Sequence, residues 1–202
     1  MFITFEGIDG SGKSTQAKML FEYLNTNGEA LLTREPGGWE GGETLRKAVL
    51  SGSLRHRWSE FFLFMLDRAE HIARVIEPAA ASGKHVICER YHDSTLAYQA
   101  WGRELPKEPL LAFSELVGFP VPDVTIFLKI SPDKALSRAW KRGALDSFEK
   151  EGVSFMEKIH RGYCELAESE PRRWAVIECE DKSPEEIFGE VKEILTAKGL
   201  KL

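Results

Sequence analysis

Five short apolar runs punctuate the chain, Phe2–Phe5, Ala30–Thr33, Val86–Cys88, Val124–Ile130 and Trp174–Ile177, and stretches with helical spacing separate them. The runs are continuous, as in strands covered on both faces, where a half-exposed strand would alternate. Parallel strands need crossover connections, so the alternation of strand and helix predicts a parallel α/β sheet. Ligands on such a sheet collect at the carboxyl ends of its strands. After the first run, Ala17, Leu20, Phe21 and Leu24 recur at helical spacing, with Lys13 opening the helix and Gly28 ending it. The longest helical pattern runs from about Trp58 to Ala81, with Phe61, Phe62, Met65, Ala69, Ile72 and Ile76 in one broad apolar stripe. So wide a stripe serves the core and leaves room for a second buried face, which admits a homodimer built on this helix.

At 202 residues the chain suits one domain with a well-buried core, spanning 1–202. Its 27 basic and 32 acidic residues leave a net charge of −5, which argues against a nucleic-acid or membrane-surface partner. Any polyanion site must then be built from local clusters. Cys88, Cys164 and Cys179 are odd in number and lack metal-ligand spacing, so they read as reduced thiols. The longest central apolar run, Phe61 to Leu66, falls far short of the roughly 20 residues of a membrane span, and the start lacks a signal-peptide pattern. The expectation is a cytoplasmic protein.

The first strand runs into Gly7-Ile8-Asp9-Gly10-Ser11-Gly12-Lys13-Ser14-Thr15, which contains the pattern G-x-x-x-x-G-K-[ST]. Glycines let the backbone wrap an anion with its N–H groups inward, Lys13 reaches the outer phosphates, and Ser14 offers a hydroxyl to Mg²⁺. Strand, loop and helix follow in the required order, which points to ATP or GTP. No Asn-Lys-x-Asp run follows a later strand, which lowers the guanine-switch alternative.

Between Lys129 and Arg142, Lys129, Lys134, Arg138, Lys141 and Arg142 stand against one acid, Asp133. Gly143 to Gly152 then mixes glycine and charge. Two readings fit: a flap closing on a phosphate site, with a lid at about 138–152, or a solvated helix face followed by a loop. Two further turns follow strands, Thr33-Arg34-Glu35-Pro36-Gly37-Gly38 and Glu89-Arg90-Tyr91-His92-Asp93-Ser94. In a parallel sheet both open on the edge that carries the phosphate loop. Two arginines aimed there suit a second phosphate group, while surface pairing with Glu35 and Glu89 is the alternative.

Together these motifs resemble the thymidylate kinase family. The resemblance rests on Phe5 to Gln16, on Thr33 to Gly38, on Gly42-Glu43 with Arg46, and on Asp67-Arg68-Ala69-Glu70. It continues through Arg90-Tyr91, Asp93-Ser94-Thr95 and Ala97-Tyr98-Gln99, so it covers almost the whole chain. It implies a P-loop NTPase fold, three-layer α/β/α with a five-stranded parallel sheet and a helical lid. The implied reaction is transfer of the ATP γ-phosphoryl group to dTMP, giving dTDP and ADP on the way to dTTP, with Mg²⁺ as cofactor and a homodimer as the assembly.

Residue by residue, the resemblance assigns Arg34, Arg46 and Arg90 to the acceptor's phosphate, Phe64 to stacking on thymine, and Arg68 to a carbonyl of the base. Thr95 and Gln99 match positions that read the thymine edge. Tyr98 matches the ring beneath the sugar, and Asp9 a loop carboxylate near the sugar and the metal. Ser14 and Glu89 fall at the metal, Gly7 to Thr15 around ATP, and Lys13, Arg90, Arg142 and Asp9 at the reacting phosphates. Gly10 stands where some relatives carry a catalytic arginine, so the lid must supply that charge through Arg142 or Arg138, both also facing ATP. Three departures stand out: Glu89 replaces an aspartate, Ser147 replaces a lid arginine, and Trp39-Glu40 replaces Thr-Pro in the acceptor loop. An acceptor phosphate, with a second pKa of about 6, is already anionic near neutrality. No general base is needed, which leaves His56, His71, His85, His92 and His160 to structural or solvated roles.

Overall fold

The computed structural model describes residues 1–25, 29–142 and 147–200, without the side chains of Ala139, Lys141, Arg142 and Glu149. The expected strands form, as β1 (Phe2–Glu6), β2 (Ala30–Arg34), β3 (His85–Glu89), β4 (Val124–Lys129) and β5 (Trp174–Glu178). All pair in parallel, in the order β2-β3-β1-β4-β5. Glu89 lies level with both Phe5 and Arg34, so the turns after β1, β2 and β3 open side by side.

Alternation along β1 sorts the two faces. Ile3 and Phe5 join Ala17, Leu20 and Leu24 of α1 (Lys13–Leu24) and Ile187, Val191 and Leu195 of α9 (Pro184–Ala197) in one apolar cluster. Phe2 faces the other way, onto Ile72, Ile76 and Tyr91. Phe127 faces the same side and packs with Ile159 and Tyr163 of α8 (Val153–Ser169), completing the α/β/α layering. Gly28, expected to end the first helix, lies outside the described residues.

The helix expected from Trp58 to Ala81 comprises α3 (Arg57–His71), a π-helical turn at Ile72–Ile76 and α4 (Glu77–Ala81). Its stripe divides. Phe61, Met65, Ile72 and Ile76 are buried, but Phe62 is 55% exposed and Ala69 also faces outward. One residue step turns a helix by about 100°, which puts Phe62 on the flank beside Phe61. Phe62, Leu66, Ala69 and Ala73 thus form an apolar face that this chain leaves uncovered.

Candidate active site

The phosphate loop turns on glycines with positive φ, 139° at Gly7, 87° at Gly10 and 100° at Gly12. A Cβ on Gly10 would lie 2.3 Å from the carbonyl oxygen of Ala135, so α7 (Pro132–Arg142) rests directly on the loop. Lys13 folds back into the loop, donating to the Ile8 carbonyl at 2.8 Å and approaching Ser11 Oγ at 3.4 Å. Burial, with Arg90 nearby, lowers its ammonium to about 8. Ser14 Oγ donates to Glu89 Oε1 at 2.8 Å, so the two residues expected at the metal meet. Glu89 spans the distance despite its extra methylene.

Asp9, Arg34, Arg46, Phe64, Arg68, Arg90, Thr95, Tyr98 and Gln99 line one cleft of about 790 Å³, its mouth included, which also reaches Ser14 and Glu89. Arg90 is its hub. It holds a positive φ of 65°, a conformation disfavoured for a residue with a Cβ. Nη2 donates to Asp9 Oδ1 at 2.7 Å and to the Tyr98 hydroxyl at 3.1 Å, and Nη1 to the Gly7 carbonyl at 3.1 Å. Tyr98 in turn donates to Asp9 Oδ2 at 3.0 Å. Burial alone would raise the Asp9 carboxyl, but Arg90 and Lys13 outweigh it and hold the group well below the usual carboxylate range.

Arg34 reaches Glu43 at 3.5 Å, and Arg46 donates to the Pro36 carbonyl at 3.2 Å. The two cations lie close: burial and the charge of Arg34 lower the Arg46 guanidinium. The Glu35–Pro36 peptide is cis. In the acceptor loop, Asp67 accepts from the Gly37 amide at 3.1 and 3.0 Å and from Trp39 Nε1 at 2.9 Å, so Trp39 itself ties the loop to α3.

At the far end, Arg68 is fully buried, donating to Glu35 Oε2 at 2.8 Å and to Thr95 Oγ1 at 2.9 Å. Glu35 Oε1 meets His71 Nδ1 at 3.0 Å, and His71 Nε2 meets Thr33 Oγ1 at 2.6 Å. Gln99 belongs to a π-helical stretch, Leu96–Gly102, that follows α5 (His92–Thr95). It has no exposed surface, and neither end of its amide has a hydrogen-bond partner. Buried polar groups are almost always paired, which makes this amide one of few exceptions among the described residues.

Sequence reasoning missed Phe148, a buried lining residue 5.5 Å from Tyr98 and 6.5 Å from Phe64, ring centre to ring centre. It lies in the segment read as a flap, whose described remainder includes a 3₁₀ turn at Glu149–Glu151. An aromatic among glycines and charges was the available signal. Ser147, expected from the resemblance to be a departure in the lid, donates to the Val49 carbonyl at 3.4 Å.

Part of the basic cluster pairs locally. Lys129 pairs with Glu178 at 2.7 Å and Lys134 with Asp181 at 2.8 Å, in exposed pairs. Arg138 donates to the carbonyls of Cys179 at 3.3 Å and Glu180 at 3.2 Å. Lys134 and Arg138 anchor α7 to the loop after β5, while Lys129 and Glu178 join the ends of β4 and β5. The side chain of Arg142 and residues 143–146 of the expected lid lie outside the described residues. The histidines hold structural positions: His56 caps α3, and His92, lowered to about 3 by burial, meets Ser114 at 3.2 Å.

A phosphate loop at the switch point of a parallel sheet, beside a cleft rich in arginine, defines a P-loop enzyme with a second anion site. The thymidylate kinase family model matches residues 5–191, and the chain belongs to that family. The thymidylate kinase of Desulfovibrio desulfuricans is 41% identical over 209 aligned positions, covering 98% of this chain and 95% of its own. That of Caulobacter vibrioides is 41% identical over 184, covering 89% and 88%. A crystal structure of thymidylate kinase from Ehrlichia chaffeensis superposes with a TM-score of 0.81 at 32% identity, covering 97% of this chain and 98% of that one.

Proposed function

We infer that the chain transfers the γ-phosphoryl group of ATP to dTMP, giving dTDP and ADP. The observation that supports the acceptor best is the buried, unpaired amide of Gln99 in a cleft shared with Phe64 and Arg68. An amide accepts from an N–H and donates to a carbonyl, the adjoining pair on the thymine edge. Phe64 stacks on the ring, Arg68 meets a carbonyl, and Thr95, spent on Arg68, fixes that guanidinium. Tyr98 lies beneath the sugar. Arg34, Arg46 and Arg90 hold the acceptor phosphate.

ATP lies along Gly7 to Thr15, with Lys13 on its outer phosphates and Arg142 or Arg138 supplying charge from the lid. Ser14 and Glu89 offer two hard oxygens in contact beside the loop, a donor set that fits Mg²⁺ completed by phosphates and water. Bound there, Mg²⁺ neutralises phosphate charge. The protein's remaining work is to place two polyanions in line and exclude water, with no proton to remove.

The test is ADP formation from Mg-ATP with dTMP, dUMP, dCMP, dGMP, dAMP or thymidine supplied singly. Turnover with dTMP yielding dTDP is expected, and ATP loss independent of acceptor overturns the assignment. Gln99→Leu should lower kcat/KM for dTMP by about 10- to 100-fold, or ~1.4–2.8 kcal/mol. The same change should leave the thermal midpoint unchanged or raised, because it removes an unpaired buried amide. A fall in both would instead assign Gln99 to the core.

A homodimer is proposed on the uncovered face of α3, where Phe62, Leu66, Ala69 and Ala73 form an apolar strip. Sedimentation should give twice the chain mass at micromolar concentration, and Phe62→Glu with Leu66→Glu should halve it. Among the described residues no helix is long and apolar enough to cross a membrane. This accords with the cytoplasmic placement we propose.

A further inference from the structure

Beneath Arg90 lies a buried group of oxygens that the proposed reaction does not yet use. Glu6 ends β1 on the face turned toward α8, with its side chain wholly inside the protein. Its Oε1 accepts from the Tyr91 amide at 2.8 Å. Its Oε2 accepts from Ser94 Oγ at 2.5 Å and from the Tyr163 hydroxyl at 3.0 Å. Those two hydroxyl oxygens are 2.8 Å apart, and Arg90 Nη1 lies 3.2 Å from each. Glu6 itself makes no ion pair with Arg90.

A guanidinium only donates, so toward Arg90 both hydroxyl oxygens act as acceptors through a lone pair, whichever way their protons turn. Those protons are shared within the group: each hydroxyl reaches both Glu6 Oε2 and the other hydroxyl, and burial with Asp93 nearby raises the Glu6 carboxyl to about 7. The group thereby sets two acceptors against Nη1, while Asp9 holds Nη2. The Tyr163 ring is held independently, stacked on Phe127 at 5.3 Å and edge-on to Trp174 at 6.4 Å. Its hydroxyl can therefore be removed without moving the ring.

We propose that Tyr163 is a positioning residue for phosphoryl transfer: with Ser94, and oriented by Glu6, its hydroxyl holds Arg90 in the plane needed as charge develops between the two phosphates. The inference rests on the dTMP kinase reading and assigns Tyr163 no contact with substrate. Ground-state binding of the acceptor is shared with Arg34 and Arg46, so a loosened Arg90 should be felt in turnover more than in affinity.

Tyr163→Phe keeps the ring and deletes the hydroxyl. With Mg-ATP and dTMP, kcat should fall about tenfold while both KM values stay within about threefold of the parent. Ser94→Ala should show the same split. A kcat within about twofold of the parent overturns the proposal, as does a larger rise in either KM, which would mean that the hydroxyl shapes binding. If Tyr163→Phe does not fold by circular dichroism, Ser94→Ala decides on the same readings. If neither folds, the hydroxyls are structural and the proposal fails. A parent chain without dTMP turnover would fail the underlying reading instead, which separates the two failures.

Discussion

Replacing Arg90 with alanine is expected to lower kcat by about 10³-fold, the lower end of the range for arginines that neutralise charge in a phosphoryl-transfer transition state, since Arg90 also holds the acceptor phosphate in the ground state. The same substitution should destabilise the fold by about 1–3 kcal/mol, because it strips the half-buried Asp9 of its nearest cation, with part of the cost screened by solvent. Arg90 also gives up its bonds to Tyr98, Ser94, Tyr163 and the Gly7 carbonyl. Arg90→Lys separates the two losses. A lysine restores charge beside Asp9 and much of the stability, but a point charge cannot serve partners on both sides of a planar fork, so turnover stays low. Acid denaturation carries a further sign. The depressed Asp9 carboxyl contributes stability that is present above about pH 4 and lost as the pH falls through its lower folded value. In Arg90→Ala much of that contribution disappears, so the stability lost on going from neutral pH into strong acid should shrink. Full turnover in Arg90→Ala would remove Arg90 from the reaction.

Glu35→Ala should give the largest loss of stability at the acceptor end. Glu35 is the anion shared by Arg68 and His71, and Arg68 is 1% exposed. Removing one partner of a buried ion pair costs about 3–5 kcal/mol, since the remaining charge can reach neither water nor another anion. For a chain of this size each kcal/mol shifts the melting midpoint by about 2–4 °C, so a fall of roughly 10 °C is expected in a thermal melt. The KM for dTMP should rise as well, because Arg68 loses the carboxylate that aims it. A midpoint unchanged in Glu35→Ala would mean that Thr95 and the Tyr91 ring suffice to hold Arg68.

The strands were legible because each is a short apolar run, buried along consecutive residues in β1, β3 and β4, while the edge strands β2 and β5 keep the apolar run but expose part of it. The phosphate loop was legible because its chemistry is local: glycines, lysine and serine act within nine positions. The two π-helical turns were not, since Ile72–Ile76 and Leu96–Gly102 carry ordinary helical spacing and the extra residue per turn comes from tertiary packing. Base-reading positions were accessible only through the family resemblance; Gln99 by itself looks like any polar residue on a helix. Tyr163 and Glu6 were missed for a different reason. They sit 157 positions apart, in a helix and a strand whose patterns are explained by core packing alone. Lys129 and Lys134 of the basic cluster follow the solvated alternative, and their partners Glu178, Glu180 and Asp181 lie at or just after a different strand, beyond the reach of local pattern.

The seat of α7 on the phosphate loop ties one position of the sequence to another far along it. Any side chain at Gly10 would have to displace the backbone at Ala135 before it could approach a nucleotide. A single substitution at Gly10 therefore does not add a cation to the loop without cost. It requires lifting α7 and rebuilding its anchors to the β5–α9 loop, so the identity of residue 10 and the seat of the helix can change only together.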